Sequence, residues 1–233
     1  MNISEAFSSG YPLCAILFVA FIPAYAQKYD ITPLVGGRYG GTMKLEQQGV
    51  SPRVDGHLAD SVSFGVAAGV RIPAEDCEAC GLLEFRWMRT DTHIGLKQNP
   101  LLPPPVVTPF IATTAFNPAT FRPPVTLNYF LGDFTYEWTI PDARSIKPFA
   151  TVSLGAAHMS TPASGATRFA FGLGTGVKIF PKPHWGFRFQ VEYLPIVMHA
   201  EVQSVVCVAG CVVALTGGLM NQFQVSFGPT VRF

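Results

Sequence analysis

The sequence predicts an all-β fold: an eight-stranded antiparallel up-and-down transmembrane β-barrel behind an N-terminal signal peptide. Three observations lead there. Segments of about ten residues alternate apolar and polar side chains with a period of two, the signature of half-lipid, half-lumen strands. In each segment one face is aromatic and β-branched, and the charges fall on the other. The chain is 48% hydrophobic and 13% charged, yet no segment after the N-terminal region reaches the ~18 uninterrupted apolar residues of a membrane helix.

The N-terminal region carries an apolar run from Leu13 to Ile22, followed by Pro23 and Ala24-Tyr25-Ala26. This is a signal-peptide core with an A-x-A cleavage site, so residues 1–26 are expected to be removed and 27–233 to form the barrel. The region before the run has no Lys or Arg and carries Glu5, which leaves the true start codon open. Losing this segment moves the formal charge from +1 to +2. So weak a bias gives no reason to expect a nucleic-acid partner.

The first strand, Tyr29 to Gly40, sets Tyr29, Ile31, Val35 and Tyr39 against Asp30, Thr32, Gly36 and Arg38. Thr42 to Asp60 is polar and non-periodic, with Gly49, Pro52 and Gly56, and reads as a long loop near 41–60. Ser61 to Ile72 gives the cleanest alternation, with Val62, Phe64, Val66, Ala68, Val70 and Ile72 on one side. Gly81 to His93 puts Leu83, Phe85 and Trp87 opposite Glu84, Arg86, Met88 and Thr90. A proline-rich stretch, including Pro103-Pro104-Pro105, then makes a second long loop near 95–124, because proline cannot donate to a ladder.

Val125 to Trp138 is the fourth strand, with Phe130, Phe134, Tyr136 and Trp138 outward and Tyr129, Asp133, Thr135 and Glu137 inward. Lys147 to His158 follows, with Val152 and Leu154 outward. Arg168 to Phe180 alternates Phe169, Phe171, Leu173, Val177 and Ile179 with Gly172, Gly174, Gly176 and Lys178. No helix follows these glycines, so they read as small inward residues that let a narrow barrel close, not as a nucleotide loop. The seventh strand, Trp185 to Pro195, turns Phe187, Phe189, Val191 and Tyr193 outward and Arg188, Gln190 and Glu192 inward. A third long loop near 197–219 precedes the last strand.

That strand, Met220 to Phe233, alternates Phe223, Val225, Phe227, Val231 and Phe233 with Gln222, Gln224, Ser226, Thr230 and Arg232. With its terminal Phe, and with the strand pattern of the whole mature chain, it resembles the small outer-membrane barrels of the OmpA and OmpX kind. The resemblance implies a bacterial outer-membrane location with both termini periplasmic. It also implies lipid and lipopolysaccharide contacts, and recognition of the closing strand at Phe233 by the barrel-assembly machinery. No peptidoglycan-binding domain is expected after the barrel. The connections after odd strands are mostly long, which places them outside the cell.

Trp138, Phe180, Trp185 and Phe233 fall at one rim in this reading, as interface aromatics. A lipocalin-like aqueous barrel would reverse the faces. On the inward face Glu84, Arg86, Asp133, Glu137, Lys178, Arg188, Glu192 and Arg232 are expected to pair and plug the lumen, since an unpaired buried charge costs several kcal/mol. The inner glycines leave room for a small wet cavity. Cys77 with Cys80, and Cys207 with Cys211, form two close pairs in an exported chain and suggest two local disulfides.

The first function expected is structural, envelope-integrity or surface-interaction, with ligands at the external loops and no catalysis. A narrow solute channel is one alternative. The other rests on His158-Met159-Ser160, whose H-x-S spacing is similar to that of outer-membrane lipid A deacylases. There the histidine would be general base and the serine nucleophile, with a carboxylate orienting the imidazole. Thr167 and Arg168 stand where a local carboxylate is needed, which leaves Glu192, on the lumen face. His57, His93, His184 and His199 are scattered without metal spacing, and no cofactor is expected.

Overall fold

The computed structural model describes residues 29–47, 50–72, 79–96, 122–143, 145–162, 165–198, 205–206, 212–215 and 218–233. Eight long strands form the wall: β1 (Tyr29–Gly40), β4 (Ser61–Arg71), β5 (Ala79–Leu96), β6 (Pro124–Trp138), β7 (Ile146–Ser160), β8 (Gly165–Lys182), β9 (Trp185–Tyr193) and β14 (Gln222–Arg232). Between them lie the shorter β2 (Thr42–Gln47), β3 (Val50–Leu58), β10 (Ile196–Met198), β11 (Val205–Val206), β12 (Val212–Leu215) and β13 (Gly218–Met220).

Each wall strand pairs antiparallel with the next, and β1 closes the ring. It pairs with β4 from Tyr29↔Val70 to Arg38↔Ser61, and with β14 from Asp30↔Arg232 to Gly40↔Gln222. Reciprocal backbone bonds between Tyr29 and Phe233 seal that seam at the end where both strands stop. Closure leaves no edge among the wall strands, as a β-protein in lipid requires.

The wall is turned inside out relative to a soluble barrel. Along β14 Phe223, Val225 and Phe227 are exposed while Gln222, Gln224, Ser226, Thr230 and Arg232 are buried. β6 repeats this, with Phe130, Phe134 and Tyr136 outside and Asp133, Thr135 and Glu137 inside. The outer rings pack on one another, Phe189 against Phe227 at 4.8 Å and Tyr193 against Phe223 at 5.2 Å between centroids. A contiguous apolar belt of this extent is stable against lipid and not against water.

The stretch expected as an irregular loop from 41 to 60 is instead a hairpin, β2 with β3. The chain reverses into it through Gly40 and Gly41, whose φ of 88° and 101° lie in the left-handed region that glycine adopts without strain. β3 pairs with the far end of β5, β12 with β2, and β11 with β12, so one side of the wall is prolonged as a sheet beyond the belt. The segment escapes periodicity because a ladder held by neighbouring backbones needs no apolar face. The 197–219 stretch likewise contains β10 to β13. Of the proline-rich stretch, residues 97–121 lie outside the described residues, as do the signal segment and its cleavage site.

Pro195 ends the β9 ladder. Beyond it β10 follows β13, through Ile196↔Met220 to Met198↔Gly218, and meets β8 at a single register position, Ile196↔Ala170.

Candidate functional site

The lumen is the candidate site, and it is built in two parts. At the end where the termini meet, charged side chains cross it. Arg86 on β5 is fully buried and donates to Glu192 on β9 at 2.6 Å, while its Nε faces Asp133 at 2.9 Å. Ser153 on β7 donates to the same glutamate at 2.7 Å. Arg188 on β9 reaches Glu84 on β5 at 2.6 Å, and Thr135 donates to the other oxygen of Glu84 at 2.8 Å. In the ring order β5 and β9 stand four strands apart, so these pairs span the full diameter.

Nearer the termini, Arg232 grips Asp30 with two bonds of 2.7 and 2.8 Å, a bidentate fork that fixes geometry as well as charge. Lys178 lies between Asp30 and Glu137, and Arg71 reaches Glu137 at 2.8 Å. All eight lumen charges singled out in the sequence are thus buried and ion-paired. Asp30, Arg38 and Arg71 join them in the lumen, Asp30 and Arg38 where the alternation of β1 turns them inward.

At β8 the space beside the inner glycines is filled by protein side chains. A Cβ on Gly176 would lie 2.5 Å from the ring of Phe149, and one on Gly172 would lie 2.7 Å from a Glu192 oxygen. Their missing side chains are the space that Phe149 and Glu192 occupy. Arg188 stacks on that Phe149 ring at 4.8 Å.

The other half of the lumen is apolar, which alternation alone did not anticipate. Leu34, Met88, Leu127, Leu131, Leu194, Ile196 and Met220 form one buried cluster with Tyr129 and others. The signal was present in β6, where Val125, Leu127, Tyr129 and Leu131 share the inward parity of Asp133 and Glu137. Between the halves Arg38 stacks on Tyr129 at 4.0 Å and donates to Gln224, and Tyr129 donates to Gln222 at 2.7 Å.

A closed wall, an apolar exterior and an ion-paired interior decide what this molecule is. It is a small β-barrel of the outer-membrane kind. Among solved structures the fold is similar to Neisserial surface protein A (16% identity, 90% of this chain and 100% of that one, TM-score 0.44). It is also similar to Ail, the attachment invasion locus protein of Yersinia pestis (10%, 88% and 99%, 0.38), and to the outer membrane protein AlkL in DMPC bilayers (11%, 97% and 96%, 0.48). No family model and no curated protein matches the sequence.

Trp138, Trp185 and Phe233 are exposed at the terminal rim of this barrel, Trp185 by 57%. Phe180 departs from its expected place. It is 8% exposed, shares the inward parity of Lys178, and lies under the Arg232 guanidinium at 3.9 Å, so it caps the charge network.

The hydrolase alternative is corrected by parity. His158 and Ser160 point away from the lumen, where Ala157 and Met159 are buried, and the His158 ring pairs with Thr167 at 2.9 Å. Glu192 lies on the other side of the wall, held by Arg86 and Ser153. No carboxylate orients the imidazole among the described residues. Nor does any group of three or more His, Cys, Asp or Glu side chains converge there as metal ligands.

Cys80 is disulfide-bonded, with its partner outside the described residues. Cys77, Cys207 and Cys211 also lie outside them.

Proposed function

We propose that this protein is a non-conducting outer-membrane barrel that works through its outer end, as a surface-interaction module on a rigid frame. The observation that carries the reading is the pair of diametric contacts, Arg86 to Glu192 and Arg188 to Glu84. They join opposite walls in a narrow barrel, and a lumen crossed by satisfied ion pairs offers ions no continuous water path. The sheet of β3, β2, β12 and β11 prolongs the wall at the far end and provides a platform there.

In this reading both termini are periplasmic, the belt contacts membrane lipid, and lipopolysaccharide surrounds the outer rim. The β14 strand with Phe233 is what the assembly machinery reads. Cys77–Cys80 and Cys207–Cys211 are the local disulfides.

Planar-bilayer recording tests the closed lumen. The wild-type protein gives no steady current, and a stable open conductance would overturn the reading. Replacing residues 42–58 by a two-residue Asn-Gly turn tests the platform. Expressing cells keep a heat-modifiable barrel but lose attachment to epithelial cells; unchanged attachment removes the platform's role.

A further inference from the structure

Every other fully buried charge in the described lumen has an opposite charge beside it, but Arg38 does not. It is 3% exposed and no carboxylate lies within 4.0 Å of it among the described residues. Its protein contacts are the Gln224 side-chain oxygen and the Tyr129 ring. Because a guanidinium donates and never accepts, Gln224 must turn its oxygen toward Arg38, which leaves its NH2 group pointing elsewhere. Gln222 is committed in the same way, its oxygen accepting from Tyr129.

The result is a cluster of unpartnered donors. Arg38 Nε and Nη1, Gln222 Nε2 and Gln224 Nε2 are all buried and lack a hydrogen-bond partner. A lone polar atom of this sort is an ordinary irregularity. Four unpartnered donors on three neighbouring side chains, two of the four on an uncompensated cation, describe the complement of an oxyanion.

What adjoins this layer gives the rest of the chemistry. Met220 stands two residues beyond Gln222 on the same face, and Tyr129 belongs both to the donor layer and to the apolar cluster. That cluster holds Met88, Met159, Met198 and Met220, four of the six methionines in the chain. Unbranched thioether side chains change rotamer at little cost and accommodate apolar guests. On the opposite side the Arg86 to Glu192 pairs close the lumen, so a guest would enter from the outer end and stop.

We propose that the lumen holds a binding site for an anionic amphiphile, a carboxylate with an unbranched apolar tail. The carboxylate is taken by Arg38, Gln222 and Gln224, and the tail lies among the methionines. The planar guanidinium fork matches a carboxylate, and the two amide donors complete its oxygens.

The test uses the full barrel in lipid nanodiscs, with radiolabelled decanoate binding corrected by empty nanodiscs. Decanoate binds saturably to the wild-type protein. Decanol, which keeps the tail, and acetate, which keeps the head, each bind at least about tenfold more weakly, and so does decanoate to Arg38→Met. Equal binding of decanol, equal binding of acetate, or undiminished binding to R38M would each overturn the site, as would no binding above the blank. If R38M does not fold, wild-type protein with 15N-labelled arginine and carboxyl-13C decanoate decides by solid-state NMR. Dipolar contact between a guanidinium and the carboxyl carbon, lost in Gln224→Met, supports the site, and its absence in the wild type refutes it.

Discussion

The two halves of the lumen fill the same narrow space by different means. The half near the termini is ionic and cross-braced, with Arg86, Arg188 and Lys178 each bonded to strands other than their neighbours in the ring. The outer half is a packed apolar cluster around Leu127, Leu131 and Met88, with Tyr129 at its base. They should fail differently. Removing one member of an ionic set strands its partners in a low dielectric. Removing carbon from the apolar set leaves a cavity into which flexible methionines can relax.

That contrast sets the order of effects. Arg86→Met leaves Asp133 and Glu192 facing each other unpaired, and should lower the stability read from urea unfolding in detergent by about 3–5 kcal/mol. Adding Asp133→Leu and Glu192→Leu to it should restore most of that loss. If the triple variant is as unstable as the single one, stranded charge is not the cause.

Leu127→Ala in the apolar half should cost about 3 kcal/mol by the same assay, with no change in the closed state of the lumen. An effect below about 1 kcal/mol would mean that Leu127 contributes little to the packing of this half. On the exterior, Phe227→Arg places a charge in the middle of the belt beside Phe187 and Phe189. It should cost about 2–4 kcal/mol in bilayers. His158→Ala should change stability by less than about 0.5 kcal/mol, and the lipid A of expressing cells should keep its acyl chains by mass spectrometry. An altered acyl count would revive the hydrolase.

The wall was legible because its signal is local. Period two with charges on one side follows from the pleat, and β1, β6 and β14 each carry it within a dozen residues. The charge pairs were legible as a set but not as partners. Which acid meets which base depends on shear around the ring, and nothing local in Glu84 names Arg188. The hairpin of β2 and β3 was missed because it is held by β5 and β12, elements far away in sequence.

Phe180 has the position of a rim aromatic, as the last of its strand, but the parity of the lumen, since counting by two from Lys178 turns it inward. The apolar half of the lumen was missed by treating polarity as the mark of the inner face. In β6 the inner row runs Val125, Leu127, Tyr129, Leu131 and only then Asp133. Position along the strand, as well as side of the strand, determines the environment.

The central claim is that the lipid-facing surface is the apolar one, and the tryptophans test it without mutation. All three, Trp87, Trp138 and Trp185, lie on the outward face, Trp87 at mid-strand and the other two at the terminal rim. The deciding measurement is their fluorescence in bilayers of lipids brominated at mid-chain or near the headgroup. The account predicts strong quenching in both, with acrylamide in the water having little effect on the mid-chain component. Emission untouched by brominated lipid and quenched by acrylamide would mean that water, not lipid, bathes this wall.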